Sequence, residues 1–231
     1  MSVAQNLEPS FACVKLHATG MSDEKRPYKK RQRAELEAAT RLRITESAME
    51  LHGTVGPART SVSAVAERAG VRRSTVYRHF ADERALFAAC SAHWAAANPL
   101  PDPGEWAAVA DPAERLRVAL AELYAFYGRN EQMLDNLLRD RAVVDAVREL
   151  MGAYEAYLGA VREVLLTGRG GRGRARQRTA AAVGHALGFP AWRSLVREQG
   201  LRDEEAVALM ERMVAAAQVV ASRARHARER R

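Results

Sequence analysis

The segment between residues 60 and 80 constrains the fold of this sequence more than any other part. Its letters are TSVSAVAERAGVRRSTVYRHF, with small and apolar residues at helical spacing on both sides of Gly70. Ser61 precedes the first run and can cap a helix with its side-chain oxygen. Glycine often ends a helix in the left-handed conformation, and Ala66, four residues earlier, is small enough for a close helix crossing. The segment therefore predicts two short helices joined by a tight turn.

The second of these helices, which begins near Arg73, has an outward face suited to DNA. On a wheel of 100° per residue, Val76 and Phe80 share the inner side. The outward side chains are arginine, serine, threonine, tyrosine and histidine, which hydrogen-bond phosphates and base edges in a major groove. A solvated face is one alternative, and a helical protein-interaction module is another. A protein-packing face would be apolar where Arg72, Arg73 and Arg78 stand.

Residues Ile44 to Leu86 resemble the DNA-binding domain of the TetR (tetracycline-repressor) family. The matching residues are Thr60-Ser61-Val62, Val65-Ala66, Ala69-Gly70-Val71, Thr75-Val76-Tyr77-Arg78-His79-Phe80 and Ala85-Leu86. The resemblance implies an all-α fold, with an N-terminal three-helix helix-turn-helix domain and a larger helical regulatory domain, about nine helices in total. It further implies a homodimer that represses transcription at a palindromic operator in double-stranded DNA until a small molecule releases it.

The resemblance also implies roles for individual residues. Phosphate contacts would come from Thr60, Ser61, Tyr77 and His79. Base contacts would come from Arg72, Arg73, Ser74 and Arg78. Together with Thr75, which flanks the outward face, these residues form the predicted DNA-binding set.

Two positions depart from the family pattern. Glu83 stands where the family usually has a lysine that touches the DNA backbone. Asp82 and Glu83 still suit the start of a helix, and Arg84 is a candidate to replace the missing cation. Arg72 replaces the small hydroxyl residue common before the recognition helix, which removes a cap and adds a donor for DNA.

The charge balance agrees with a polyanionic partner. The formal net charge is +8, which favours nucleic acid first and an anionic membrane second. A basic run between Lys25 and Arg33 predicts either a DNA-contacting arm or a solvated tail. We expect a disordered basic arm over residues 1–33, the helix-turn-helix domain over 34–82, and a ligand-binding and dimerisation domain over 83–231.

The cysteine content and hydropathy favour a cytoplasmic protein. Cys13 and Cys90 are the only cysteines and make no disulfide framework. The longest weakly polar segment, Thr179 to Trp192, is too short to span a bilayer. The sequence therefore predicts a soluble cytoplasmic protein with no membrane partner.

Helix-capping and helix-breaking residues divide the region after residue 82 into helices. Asp111 and Pro112 mark one start, Gly200 marks one end, and Pro190 predicts a kink or break. The predicted helices cover residues 82–97, 111–128, 131–140, 142–166, 174–198 and 203–226.

Small and apolar residues on two late helices predict a dimer interface, because small side chains allow helices to approach closely. An ordinary intrachain core is the alternative. The predicted interface residues are Ala181, Gly184 and Gly188 on one helix and Ala206, Leu209, Met213, Ala216 and Val220 on the last helix.

Aromatic and methionine residues cluster in the middle helices. Plain core packing is one interpretation, and a cavity for an amphipathic or aromatic molecule is the other. A third possibility is a DNA-binding regulator of this family type that has no small-molecule ligand. The candidate ligand-binding residues are Trp106, Tyr124, Tyr127, Met133, Leu137, Met151, Tyr154, Tyr157 and Trp192.

Residues for catalysis or metal binding form no recognisable site. The sequence has no nucleophile elbow, P-loop or GxGxxG. Cys90 and His93 are spaced as half of a metal site, but no second pair accompanies them. We expect neither an enzyme nor a bound metal or cofactor.

Overall fold

The computed structural model describes the backbone of residues 25–229 and the side chains of residues 28–218. This part of the chain is all-α, as predicted, with slightly more helices than expected. The helices are α1 (Lys25–Thr54), α2 (Val62–Arg68), α3 (Arg73–His79), α4 (Glu83–Ala97), α5 (Pro103–Ala107), α6 (Pro112–Asp140), α7 (Asp145–Leu166), α8 (Arg174–Ala186), α9 (Phe189–Arg193) and α10 (Asp203–Glu229). A 3-10 turn at Pro57–Arg59 precedes α2, and a π-helical stretch at Ser194–Glu198 follows α9.

Two compact units make up the chain, Met1–Leu42 and Arg43–Arg231. In the first, helix α1 begins at Lys25, so the basic run up to Arg33 is helical and not the disordered arm expected from its composition. The rest of that arm, residues 1–24, lies outside the described residues. The domain boundaries 34–82 and 83–231 stay predictions.

α6 is one helix where the sequence predicts two. Gly128 does not end it, because Tyr124 and Tyr127 before the glycine and Leu134 after it are buried in the same core. This shared burial outweighs the cost of about 1 kcal/mol for one glycine inside a helix. Asp111 caps α6 as predicted, its carboxylate accepting from the Glu114 N–H at 2.8 Å.

The predicted break at Pro190 is confirmed. α8 ends at Ala186, and α9 begins at Phe189 with Pro190 in its first turn, where its missing N–H costs no helical hydrogen bond. Between residues 97 and 111, where the sequence predicts no helix, the chain forms the short helix α5, which Asp102 caps by accepting from the Gly104 N–H at 2.8 Å.

Two large hydrophobic cores stabilise the second unit. The first joins α1, α2, α3 and α4 through residues such as Ile44, Val65 and Phe80. The second joins α5 to α10 around Tyr127 and Trp192. Within the described residues, no helix is both long enough and apolar enough to cross a membrane.

α8 and α10 pack against each other and expose part of the predicted dimer surface. Ala181, Gly184, Leu209 and Ala216 are exposed, while Gly188 and Met213 are half-buried. Ala206 belongs instead to the intrachain core, because α10 turns Ala206, Val207, Met210 and Val214 inward. The side chain of Val220 lies outside the described residues.

Candidate functional site

The turn between α2 and α3 has the predicted backbone chemistry. Ser61 caps α2 by accepting from the Ala64 N–H at 3.2 Å. Gly70 has φ +64°, in the left-handed region that favours glycine. The Val71 N–H then donates to Ala66 O at 2.9 Å, which closes the turn. This local geometry sets the direction in which α3 leaves the turn.

α3 presents its polar face to solvent. Val76 and Phe80 are buried, as the helical wheel predicts. Thr75 and His79, on one flank, are only half-buried and lie closer to the core than predicted. The exposed members of the predicted set are Ser61, Arg72, Arg73, Ser74, Tyr77 and Arg78.

Arg73 and Tyr77 form a pair on this face. One guanidinium nitrogen of Arg73 donates to the Tyr77 hydroxyl oxygen at 3.2 Å, and the guanidinium lies 5.5 Å from the ring centroid. This hydrogen bond raises the pKa of Arg73. Because Tyr77 accepts here, its own O–H remains available to donate to a phosphate.

Thr60 and Ser61 differ in what they can offer DNA. The Thr60 hydroxyl donates to Gly56 O at 2.9 Å, and its N–H donates to Pro57 O at 3.1 Å. Both Thr60 donors are therefore used within the turn, so we expect Thr60 to shape the turn more than to hold a phosphate. Ser61 only accepts in its cap, which leaves its O–H to donate.

The residues on either side of Glu83, the position of one departure from the family pattern, have structural roles at the start of α4. Asp82 caps the helix by accepting from the Ala85 N–H at 2.7 Å. Arg84, the candidate replacement for the missing lysine, donates to Glu149 of α7 at 2.6 Å. This ion pair joins α4 to α7 and partly neutralises the cation that was a candidate for contact with DNA.

Three residues at the end of α6, Asn136, Arg139 and Asp140, form a cluster that we call the α6 polar cluster. Asn136 is fully buried and donates to His52 O and Gly53 O, each at 2.9 Å. These carbonyls belong to the last turn of α1, where a helix leaves carbonyls without internal partners. The cluster therefore caps α1 from another helix.

The same cluster holds the turn that leads into α2. Arg139 donates to Val55 O at 3.0 Å and to Asp140 at 2.7 Å, and Asp140 accepts from the Ala58 N–H at 3.0 Å. Burial raises the pKa of Asp140, but the hydrogen bonds from Arg139 and Ala58 outweigh it and leave the pKa below its usual value. The carboxylate thus stays charged and bound to this turn at neutral pH.

A cavity of about 260 Å³ lies between α1, α4, α6 and α7. Four of the predicted ligand-binding residues line it: Met133, Leu137, Met151 and Tyr154. No Asp, Glu, Lys or Arg belongs to its lining among the described residues.

The other predicted ligand-binding residues do not line this cavity. Trp106, Tyr124, Tyr127 and Trp192 are buried core residues, and Tyr157 is half-buried. Their polar atoms are bound within the chain, to Glu122, Ala186 O, Leu187 O, Asp203 and Pro101 O respectively. These five aromatic residues therefore contribute to packing and hydrogen bonds within the chain and not to the cavity wall.

The cavity wall also contains residues that sequence reasoning missed. They lie on α1 and α4: Met49, His52, Phe87, Cys90 and Trp94. The available signal was the spacing of i, i+3 and i+7 from Phe87 to Trp94, which gives α4 a second apolar stripe.

Cys90 pairs with a histidine that is distant in sequence. Its sulfur lies 3.3 Å from His52 Nδ1, whereas His93 lies 4.0 Å from Glu46. Burial raises the pKa of the Cys90 thiol to about 11. Among the described residues, no three His, Cys, Asp or Glu side chains are grouped to hold a metal.

Acid should destabilise the protein through His52. Burial lowers the pKa of His52 from 6.5 to about 4, although Asp140 partly opposes this. Below pH 6.5 the unfolded chain therefore binds a proton that the folded chain does not, so stability falls as the pH drops. We expect a loss on the order of 2–3 kcal/mol between pH 6.5 and about 4, and none of it above this window. Urea unfolding across this range measures it.

The matched variant for this test is His52→Gln, which does not titrate. Its stability should vary less with pH than that of the wild type, by the contribution of His52. Equal slopes in the two proteins would show that His52 is not protonated on unfolding.

The chain matches a family model over the helix-turn-helix and its flanking helices. Residues 44–90 match the model described as "Bacterial regulatory proteins, tetR family". This range contains α2, α3 and the first part of α4. No curated protein matches the chain.

Solved structures with the same fold cover most of the chain. A transcriptional regulator from Rhodococcus sp. RHA1 has 21% identity and a TM-score of 0.54, covering 78% of this chain and 97% of that one. A TetR-like regulator from the same organism has 19% identity and a TM-score of 0.55, covering 77% and 94%. NalD, the secondary repressor of the MexAB-OprM multidrug efflux pump in Pseudomonas aeruginosa, has 21% identity and a TM-score of 0.55, covering 79% and 97%.

Proposed function

We propose that this chain is a member of the TetR family of bacterial regulatory proteins, whose model residues 44–90 match, and that it represses transcription from a palindromic operator and is released by a small molecule. The family consists of regulators and not enzymes, which agrees with the non-enzymatic function expected from the sequence. The exposed, arginine-bearing face of α3 is the observation that carries the proposal. Repression is also the activity of NalD, which shares the fold. A DNA-bound role places the protein in the cytoplasm.

α3 supplies the chemistry for reading a major groove. Arg72, Arg73 and Arg78 are exposed cations, and a guanidinium can bind guanine through two parallel hydrogen bonds. The free O–H donors of Ser61 and Tyr77 suit phosphates, which position a protein on DNA without reading its sequence. The Arg73–Tyr77 pair holds two of these groups together before DNA arrives, which lowers the entropic cost of binding.

A homodimer would present two copies of the exposed α3 face, one to each half of a palindromic operator. The face shared by α8 and α10 is made of small and apolar side chains, among them Gly184 and Leu209, the latter 39% exposed. Two such faces would pack as a four-helix core. Half-sites about 34–36 Å apart then require the two α3 helices to keep a fixed separation.

The cavity supports release by a small molecule. Its wall includes Met133 and Leu137 of α6, and the α6 polar cluster on the same helix binds the end of α1 and the turn before α2. An occupant that displaces this part of α6 would therefore move the backbone that positions α2. Such a ligand changes DNA affinity only if it binds one arrangement of α6 and α2, the original or the displaced one, more tightly than the other.

Arg78→Ala should lower both affinity and sequence discrimination. We expect a loss of about 1–3 kcal/mol at the cognate duplex and a smaller loss on a scrambled one, because a base contact is removed. Tyr77→Phe should weaken both duplexes more evenly, since a phosphate contact carries no sequence information. Duplexes selected from a random pool, followed by fluorescence anisotropy over a range of salt concentrations, provide the measurement.

The control is Arg148→Ala, which removes the same charge from an exposed site on α7. It should leave affinity for both duplexes close to the wild-type value. The wild type should bind as a dimer, with log affinity falling by about 0.9 per neutralised phosphate against log salt. Equal affinity for every duplex, or equal losses on both duplexes for Arg78→Ala, would contradict the proposed readout.

A further inference from the structure

The lining of the cavity restricts the charge of its ligand. The described lining contains apolar side chains together with Ser91, Asn98, Tyr154 and the pair formed by His52 and Cys90. An ion moved from water into such surroundings without a partner loses far more hydration energy than apolar contact returns. An uncharged molecule is therefore the ligand that this cavity can hold.

The hydrogen bonds of Cys90 favour one of the two neutral tautomers of His52. The Cys90 S–H donates to Phe87 O at 3.1 Å, and a thiol has only one proton. The 3.3 Å contact between the Cys90 sulfur and His52 Nδ1 is then a hydrogen bond only if Nδ1 carries the proton and donates it. Burial lowers the pKa of His52 to about 4, so the ring is neutral near pH 7.

A neutral imidazole has one N–H, so its other nitrogen accepts. With the proton on Nδ1, the acceptor of His52 is Nε2. No hydrogen bond joins Nε2 to any of the residues that the structure describes, although the ring lines the cavity. His52 thus has one unused acceptor for a ligand.

Tyr154 also offers a ligand only an acceptor, because of a different chain of hydrogen bonds. The Tyr127 O–H donates to Leu187 O at 2.5 Å, so the 2.8 Å bond between the two hydroxyls must use the Tyr154 proton. Its oxygen can then only accept from any further group. Neither His52 nor Tyr154 has a free donor for a ligand.

Building on the proposed effector cavity, we propose that the effector is an uncharged, largely apolar molecule with a hydroxyl or N–H group that donates to His52 Nε2. The site also explains how such a molecule would affect DNA binding. His52 lies in the last turn of α1, and its carbonyl is held by Asn136 of α6. The ligand would contact the residue through which α6 caps α1.

Matched probes test this inference in the full-length protein. The probes are para-alkylphenols with chains from methyl to hexyl, their methyl ethers, and the corresponding para-alkylbenzoates. Isothermal titration at neutral pH should show phenols binding about ten-fold tighter than the ethers, because only the phenols donate. The benzoates should bind more weakly than either, because they carry a charge.

Two variants identify the side chain that accepts the ligand's hydrogen bond. His52→Phe keeps a ring but removes the acceptor, so it should abolish the preference for phenol over ether while binding the ether within about two-fold of wild type. Tyr154→Phe should retain most of the preference. Circular dichroism establishes that each variant is folded, and the wild-type comparison of phenols with ethers tests the proposal independently of both.

Three results would overturn the inference: ethers that bind as tightly as phenols, benzoates that bind tightest, or no binding by any probe. An unchanged preference in a folded His52→Phe protein would overturn the role of His52. DNA release is measured separately by anisotropy. Phenol binding with the expected preference but without DNA release would support this inference and refute release by the ligand.

Discussion

Gly56→Ala should destabilise the protein by about 4 kcal/mol, because it adds backbone strain and also disrupts the α6 polar cluster. Gly56 has φ +95° and ψ 157°, a region that is essentially restricted to glycine. A Cβ there would overlap the Arg139 guanidinium and lie 2.5 Å from the Asp140 carboxylate. Arg139 could move aside only by losing its bond to Val55 O. Urea unfolding monitored by circular dichroism measures the loss.

Gly70→Ala provides the matched control. Gly70 also has positive φ, at +64°, but an added Cβ would meet nothing within 4 Å. This variant should therefore show only the cost of the left-handed conformation, about 1 kcal/mol. If the two variants lose the same stability, the contact with the α6 polar cluster contributes nothing, and strain alone explains Gly56.

Asn136→Ala should cost about 3–4 kcal/mol. The Asn136 amide caps two carbonyls at the end of α1, and each buried carbonyl left without a donor costs about 1–3 kcal/mol. Asn136 also accepts from Arg139 at 2.8 Å, so its loss loosens the side chain that binds Val55 O. The free energy of unfolding comes from the same urea experiment, with DNA affinity measured at the selected duplex.

Asn130→Ala serves as the control within the same helix. Asn130 is also buried, but among the described residues its amide donates to Phe126 O alone, one turn back in α6. Its removal should cost clearly less stability than removal of Asn136. DNA affinity should fall for Asn136→Ala alone, because Asn136 binds the helix that precedes the turn into α2. Equal effects on DNA affinity would refute a role for the α6 polar cluster in positioning the DNA-binding helices.

The helix-turn-helix was predictable from sequence because its determinants are local. Ser61 caps α2 and Gly70 ends the turn through interactions within a few residues of each. The outward face of α3 follows from helical periodicity once Val76 and Phe80 are buried. The break at Pro190 is equally local, since proline lacks the donor that a helix interior requires.

Tertiary packing determined the features that depend on contacts between segments distant in sequence. α6 passes through Gly128 because burial on both sides of it outweighs a local preference, which no window of sequence reveals. The aromatic residues expected around a ligand divide into core and cavity according to where the helices place their rings, since Tyr127 and Tyr154 both have hydrogen-bonded hydroxyls. Tyr127 is satisfied by Leu187 O and lies in the core, whereas Tyr154 lines the cavity.

The cavity between α1, α4, α6 and α7 shows most clearly how local preferences differ from tertiary packing. The sequence by itself determined the helix-turn-helix, the caps and the exposed arginines of α3, because short-range backbone and side-chain preferences specify them. It did not show that His52 and Cys90 meet in one cavity, or that Asn136 caps a helix from another part of the chain. Those contacts join residues far apart in sequence. Only the packing of α1, α4 and α6 brings their polar atoms within hydrogen-bond distance.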